Sequence, residues 1–333
     1  MTHRLLPAMT LLALALPFAA QTPPALPPVP SNPYELVDAG AQILSTPTDR
    51  AAGLDLLTLA GQNYTFGQQG RPDTVLQVSL QSSGGSHIEG SGTMLDIWSG
   101  LRYTWSSDFA GVNSGKAVNI VSNPVPFRVA MARYALLWPV GPIPVAREIR
   151  VARASLAGTP VTCILVTHAA VPAPAAGRGW REAEYCITAT GLLRTMSPAP
   201  GLFFVYDYSQ PVIFAGHTVA SAITAYEGDR AVLRIQLDRF GAPSSTDLSQ
   251  LAAARPSPGV LTPPYVLTMH PPDNAAVQSI TILHAYFGPN RQVLDNEIIT
   301  GDSNLAVDDI LTRAARRIRP RMADTEAFIR VEN

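Results

Sequence analysis

The sequence predicts an α+β protein, in which a many-stranded antiparallel sheet with a few helices is followed by a compact β-β-α-β unit. Between residues 74 and 240, short apolar or alternating runs recur between Gly, Asn, Asp and Pro turns, which is typical of antiparallel strands. Helical spacing is confined to a few stretches, near residues 34–64, 126–137 and 305–319. A Pro/Ser/Ala-rich linker at residues 243–264 divides the chain into domains at 34–242 and 265–333.

The amino terminus carries the pattern of a secretory signal peptide at residues 1–20. A short basic start precedes the apolar run from Leu5 to Ala20. The run is shorter than the roughly 20 apolar residues that span a bilayer, and it contains Pro7 and Pro17. We therefore expect a periplasmic protein without a transmembrane helix in its mature form. Cleavage after Ala20 and retention as an uncleaved anchor both remain open.

Composition narrows the class of protein. Hydrophobic residues make up 47% of the 333 residues, charged residues 15%, and the net charge is −1. A chain with so much apolar content can bury a large core, and its near-zero charge argues against a nucleic-acid-binding protein. The proline-rich residues 21–33 are interpreted as an extended tether after the signal.

The elements of the first domain follow from local patterns. One helix begins at Pro33 and a second is expected at 48–64. Strands are expected at 74–80, 90–98 and 101–105, and Ser99-Gly100 is interpreted as a tight turn. A helix at 126–137 precedes strands at 146–152, 161–168, 182–189, 192–196, 202–208, 212–214, 221–226 and 231–240.

Cys163 and Cys186 predict a disulfide. Each lies in a strand-like run, and the Pro/Ala/Gly-rich residues 170–179 separate the two runs. In a hairpin centred on this loop the two cysteines fall opposite each other, where side chains come close enough to bond. The pair has none of the close C-x-x-C spacing of a redox motif.

For the second domain the pattern predicts strands at 279–287 and 292–300, a helix at 305–319 ending at Pro320, and a last strand at 327–331. The strand-turn-strand around Gly288-Pro-Asn-Arg, the helix and the final strand resemble the carboxy-terminal domain of the TonB family. That resemblance implies a periplasmic unit that docks on a partner protein. The Tyr-Pro motif usual in that family is missing, and Pro264-Tyr265 stands in reversed order.

The order of elements in the larger domain resembles the LolA, LolB and RseB group. Two helices, aromatic strands, a central helix and further strands carry the resemblance. It implies a curved antiparallel half-barrel with packed helices, in which lipid acyl chains or a lipid-like signal bind. A lipid or an acylated peptide is therefore the expected ligand, and a cell-envelope protein the expected partner.

The candidate site residues form two sets. Trp98, Tyr103 and Trp105 are candidates for a ligand pocket, although aromatic residues on strands are more often ordinary core. The candidate partner-binding residues are basic positions of the last helix. They are Arg313, Arg316, Arg317 and Arg319. The alternative is that these arginines only complement the negative carboxyl end of that helix.

No catalytic or cofactor motif is evident in the sequence. The six histidines have no metal-ligand spacing, and there is no G-x-S-x-G elbow and no glycine-rich phosphate loop. His168 and His284 lie in predicted strands and are expected to be surface or core residues. We therefore expect a non-enzymatic envelope protein that binds an apolar ligand and a partner, without metal or cofactor. The rival hypothesis is a TonB-type coupling or scaffold protein that has no small-molecule ligand.

Overall fold

The structure is a computed structural model. It describes residues 43–44, 46–64, 74–82, 90–99, 102–107, 131–132, 134–136, 139–141, 148–167, 177–214, 216–242, 244–246, 256–257, 265–275, 277, 281–288, 290–301, 304–323 and 325–331. The predicted signal peptide and tether lie outside the described residues, as does most of the predicted linker. The helix beginning at Pro33 was expected to run through Ile43, but Ile43 and Leu44 form a short strand, so the prediction is wrong at this end.

Helix α1, Pro47–Gln62, begins at a capping box and confirms the helix expected at 48–64. The Thr46 side chain accepts the backbone N–H of Asp49 while the Asp49 carboxylate faces the backbone N–H of Thr46. Pro47 occupies the first turn, where its missing N–H costs nothing. Residues 131–132 and 134–136 are also helical, within the helix expected at 126–137.

The first domain is built on one large antiparallel sheet. Its strands and a separate hairpin are β1 Ile43–Leu44, β2 Thr74–Ser82, β3 Gly90–Ser99, β4 Arg102–Ser107, β5 Ile149–Leu156, β6 Thr159–Thr167, β7 Glu182–Ile187, β8 Leu193–Ala199, β9 Leu202–Asp207, β10 Val212–Phe214, β11 His217–Val219, β12 Ala222–Glu227, β13 Arg230–Gly241 and β14 Pro256–Ser257. Strands β10 and β11 pair only with each other.

The twelve strands of the sheet follow the order β1-β5-β6-β7-β8-β9-β12-β13-β2-β3-β4-β14. Strands β1 and β14 lie at its two ends and do not pair with each other, so the sheet of the described residues is open. Every pairing within it is antiparallel. Strand β14 lies within the segment expected as linker and extends the sheet beyond β4.

The sheet has two distinct faces, which the pairing register defines. The inner face carries Ile164, Phe204, Ile235 and Val78 and forms the main hydrophobic core. Helix α1 packs on this face through its buried residues, which recur at helical spacing: Gly53, Leu57, Ala60 and Gly61. A Cβ atom on Gly53 would lie 2.7 Å from a methyl group of Val151, so glycine allows the close approach of helix and sheet.

The second domain is a four-stranded sheet with one helix. Its elements are β15 Tyr265–Met269, β16 Ile282–Phe287, β17 Val293–Thr300, helix α2 Leu305–Ala315 and β18 Thr325–Val331. The strand order is β15-β18-β16-β17, and β15 runs parallel to β18. The sequence predicted β-β-α-β and missed β15. Helix α2 buries Val307 and Leu311 against one face of this sheet.

The other face of the small sheet packs against the first domain. Ile282 and Phe328 belong to the main hydrophobic core, and both are fully buried. A Cβ atom on Gly201, in the turn between β8 and β9, would come within 3.3 Å of Ile282 and 3.5 Å of Phe328. The Trp180 indole N–H donates to the backbone carbonyl of Leu267 at 3.2 Å.

None of the helices in the described part of the chain is both long enough and apolar enough to cross a bilayer.

Candidate functional site

The inner face of the large sheet is the surface on which the sequence places an apolar ligand. Over strands β5 to β9 this face is filled by the protein itself. Leu57 and Ala60 of α1 are fully buried there, and Ala135 and Leu136 of the second helical stretch are as well. Burial of each leucine side chain stabilises the fold by about 1.5–3 kcal/mol. This part of the inner face is therefore ordinary core.

Tyrosine hydroxyls connect the helices to this face. The Tyr64 hydroxyl at the end of α1 lies 3.0 Å from the Tyr208 hydroxyl, and Tyr206 donates to the Ala135 carbonyl at 3.0 Å. Burial raises the pKa of Tyr208 to about 12 and that of Tyr206 well above its usual value. The hydroxyls thus stay protonated and act as hydrogen-bonding parts of the core.

The register brings the three predicted ligand-binding positions together. Trp98 of β3 and Tyr103 of β4 are direct cross-strand partners, and Trp105 pairs with Asp96. Val78 of the inner face pairs with Met94 on β3, and the alternation along β3 and β4 then places positions 98, 103 and 105 on the inner face. They lie toward the β14 end of the sheet, on strands other than those that α1 covers.

The disulfide predicted between Cys163 and Cys186 is confirmed. The two residues are direct cross-strand partners on β6 and β7, and their Cα atoms lie 3.9 Å apart. They belong to the outer face, opposite the helices, in a smaller apolar cluster with Phe203 and Tyr226. The rings of Phe203 and Tyr226 stack with centroids 5.1 Å apart. Because both sulfur atoms are bonded to each other, neither is a metal ligand.

A buried ionic network on the outer face was missed by sequence reasoning. Arg150 donates to both oxygens of Glu182, at 3.0 and 2.6 Å, and Glu182 also accepts the backbone N–H of Gly179 at 2.5 Å. Arg178 donates to the Glu182 carbonyl at 2.8 Å and lies 3.7 Å from Glu184. The sequence did contain a signal for this network. Glu182, Glu184 and Cys186 alternate along β7, so all three lie on one face of the sheet.

His284 was expected to be a surface or a core residue, and it lies in the core. The sequence did not predict its partners. Its Nδ1 is 2.8 Å from a Glu227 oxygen and its Nε2 is 3.0 Å from a Glu326 oxygen. Burial lowers the pKa of this imidazole, but the two carboxylates more than compensate and raise it to about 9. The Phe328 ring stacks on the imidazole at 4.3 Å between centroids.

Glu297 and Arg230 complete the cluster around His284. Arg230 lies 2.9 Å from Glu297 and 3.4 Å from Glu227. Burial, together with the neighbouring Glu227 carboxylate, raises the pKa of Glu297. Ligand atoms of Glu227, His284 and Glu297 lie within 4.8 Å of one another. The imidazole nitrogens are hydrogen-bonded to carboxylates, and Arg230 pairs with Glu297. We therefore interpret this group of residues as an ion-pair cluster.

The four candidate arginines are exposed, but the helix ends at Ala315 and not at 319 as predicted. Arg313 therefore lies in α2, and Arg316, Arg317 and Arg319 follow its end. Arg313 forms an ion pair with Asp309 at 2.7 Å, one helical turn earlier. Arg319 donates to the carbonyls of Arg316 and Ile318, both at 2.9 Å, at the carboxyl end of α2. Arg313 and Arg319 therefore have helix-stabilising partners, and partner binding by the arginine set stays a prediction.

The remaining histidines give no catalytic arrangement within the described residues. His217 Nδ1 lies 2.8 Å from the backbone carbonyl of Gln62, and His270 is exposed. His3, His87 and His168 lie outside the described part of the chain.

Comparison with known proteins gives structural neighbours only. No protein family matches the sequence, and no curated protein matches it either. One similar solved structure is a DUF1329 family protein from Desulfovibrio piger, with 11% identity and a TM-score of 0.34, covering 59% of this chain and 94% of its own. Another is a LolA superfamily protein from Nitrosomonas europaea, with 7% identity and a TM-score of 0.32, covering 58% of this chain and 94% of its own.

Proposed function

We propose that this chain is an exported, non-enzymatic protein of the periplasm whose large domain binds a lipid or another apolar ligand. The disulfide supports an oxidising compartment, because such bonds are rare in cytosolic proteins. The small domain, in this proposal, docks on a cell-envelope partner.

The proposal rests on one observation. The helices fill the inner face over β5–β9, and this face continues over β2, β3 and β4. Buried Val78 and Leu80 of β2 extend the apolar core toward β3 and β4. By the strand register, positions 98, 103 and 105 follow on the same face, and aromatic residues are common in ligand pockets. The expected ligand site therefore lies over β2–β4.

Native mass spectrometry of the protein purified from a periplasm tests this proposal. We expect a stoichiometric lipid or acylated peptide to copurify, and uptake of added phospholipid or fatty acid by the emptied protein. The double variant Trp98→Ala/Trp105→Ala should lose this uptake. Ile213→Ser, which removes an apolar side chain that is 73% exposed on β10, is the matched control and should keep it. A protein that is free of ligand and takes up none refutes the proposal.

One observation favours the rival hypothesis of a coupling or scaffold protein without a ligand. The inner face over β5–β9 is filled by α1 and by residues 131–132 and 134–136 rather than left open. If the same holds over β2–β4, the sheet is only a support for the small domain. The absence of lipid uptake in the experiment above, together with partner binding, would favour this reading.

Partner docking is proposed on the small domain. Strands β15 and β17 are the edges of its sheet, and exposed edges pair readily with extended segments. Arg313 on α2 and the three arginines that follow the helix are exposed. Photo-crosslinking from position 317 in cells tests this docking, and position 55 on α1 serves as the control. A discrete adduct from position 317 alone supports it, and adducts of equal yield from both positions contradict it.

A further inference from the structure

The ion-pair cluster around His284 lies between the two domains. Glu227 ends β12 and Arg230 begins β13 of the large sheet, whereas His284, Glu297 and Glu326 lie on β16, β17 and β18 of the small sheet. The imidazole is completely buried, and the side chains of Glu227 and Glu326 are 0% and 12% exposed. Each domain thus contributes charged groups to one buried contact.

Toward two ionised carboxylates, both nitrogens of the imidazole must carry a proton. Nδ1 faces a Glu227 oxygen and Nε2 faces a Glu326 oxygen. An ionised carboxylate only accepts hydrogen bonds, and only the imidazolium form of histidine has two N–H donors. A neutral imidazole would direct one lone pair at a carboxylate and would leave Glu227 and Glu326 without their shared positive partner.

The other charges of the cluster do not replace that partner. Arg230 is the cation that faces Glu227 and Glu297, at 3.4 and 2.9 Å. Loss of the imidazole proton therefore removes one of the positive groups that Glu227 and Glu326 face. A buried carboxylate that loses its ion-pair partner is strongly disfavoured.

We propose that the Glu227–His284–Glu326 contact is a proton-dependent clasp, which holds the small domain on the large sheet while His284 is protonated and releases it when the proton is lost. Release exposes the face of the small sheet that carries Ile282 and Phe328. The clasp thereby controls access to an apolar surface that is covered in the closed structure.

The titration of the neighbouring groups acts in the same direction. The pKa of His284 is raised to about 9, so the clasp is complete below about pH 6.5 and is lost as pH rises toward 9. The pKa of Glu297 is also raised, so its proton too is lost as pH rises, which adds repulsion against Glu227. The tyrosine that contacts the imidazole is Tyr286, whose ring centroid lies 4.5 Å from that of His284.

Pulsed dipolar spectroscopy on the full chain measures whether the clasp opens. Both native cysteines are in the disulfide, so Asp55→Cys on α1 and Leu305→Cys on α2 provide two exposed labelling positions, one on each domain. We expect one narrow distance at pH 6, and a broader and longer distribution at pH 10. The shift in the closing equilibrium should be up to about two orders of magnitude, as a pKa change from 6.5 to about 9 implies.

Two backgrounds make the test specific. His284→Gln, which is neutral at every pH, should show the longer distribution already at pH 6, with native far-ultraviolet circular dichroism as the check on folding. His270→Gln removes an exposed histidine of the same domain and should behave like the unsubstituted chain. If His284→Gln does not fold, Glu326→Gln takes its place and should open at a lower pH than the parent. A single distance that is the same at pH 6 and pH 10 overturns the proposal, as does an equal pH response in the parent and in His284→Gln.

Discussion

Removal of one member of the Arg150–Glu182 pair should destabilise the large domain severely. Glu182→Gln leaves the Arg150 guanidinium charged, and Arg150→Met leaves the Glu182 carboxylate with the backbone N–H of Gly179 as its remaining short bond. The two side chains are only 5% and 2% exposed, so water cannot compensate for the lost partner. Breaking a buried pair in this way costs about 3–5 kcal/mol, against a total stability of about 5–15 kcal/mol for a typical domain.

The double variant Arg150→Met/Glu182→Gln separates the charge effect from the loss of packing. It removes both charges, and the amide can still accept from Gly179, so we expect it to cost less than either single change. Urea unfolding under non-reducing conditions measures all three free energies. Arg50→Met is the matched control, because the Arg50–Glu148 pair is 3.9 Å apart and about half exposed, and exposed pairs contribute about 0–1 kcal/mol. Single changes as mild as this control, or a double change equal to the sum of the two, would refute the reasoning.

Three further predictions concern stability. The His284 imidazole, whose pKa is raised from 6.5 to about 9, should contribute about 3 kcal/mol below pH 6.5 that is lost as pH rises toward 9, and urea titrations should show this slope in the parent but not in His284→Gln. Gly53→Ala should lower the free energy of unfolding by about 1–3 kcal/mol, measured by chemical unfolding, because its Cβ atom would lie 2.7 Å from a methyl group of β5. Gly141→Ala is the control: its Cβ atom would have open space, so stability should change by less than about 0.5 kcal/mol. Reducing the disulfide should lower the unfolding free energy by about 3 kcal/mol, and an unchanged denaturation midpoint would contradict this.

Local patterns predicted local structure well. The cysteine pairing was predictable because one short loop joins two similar strands, so the symmetry of the hairpin sets its register. Helix α1 was predictable from its run of alanine and leucine residues, whereas the capping box at Thr46 was not recognised in the sequence. Strand β10 was predicted at its observed bounds, whereas its partner β11, also three residues long, was missed.

Long-range structure was not predictable from the same patterns. Strand β15 pairs with β18 in parallel across the whole small domain, and no local signal marks a five-residue strand of this kind. The partners of His284 lie 57 residues before it and 42 residues after it, so no spacing rule brings them together. The packing of Ile282 and Phe328 into the main core depends on which face of the small sheet is turned to the large one.

The strand order of the large sheet has a consequence for the route by which the chain folds. Strands β2, β3 and β4 come early in the sequence, yet β2 finds its second neighbour only in β13, and the hydrogen bond from Ser79 to Asp238 spans 159 positions. During synthesis the β2 edge of the β2–β4 meander therefore stays unpaired until nearly three quarters of the chain has emerged, and the β4 edge waits longer still for β14. Such non-local closure slows folding and leaves that edge open to pairing with other chains. The early meander is thus the segment that most needs protection before the sheet is complete.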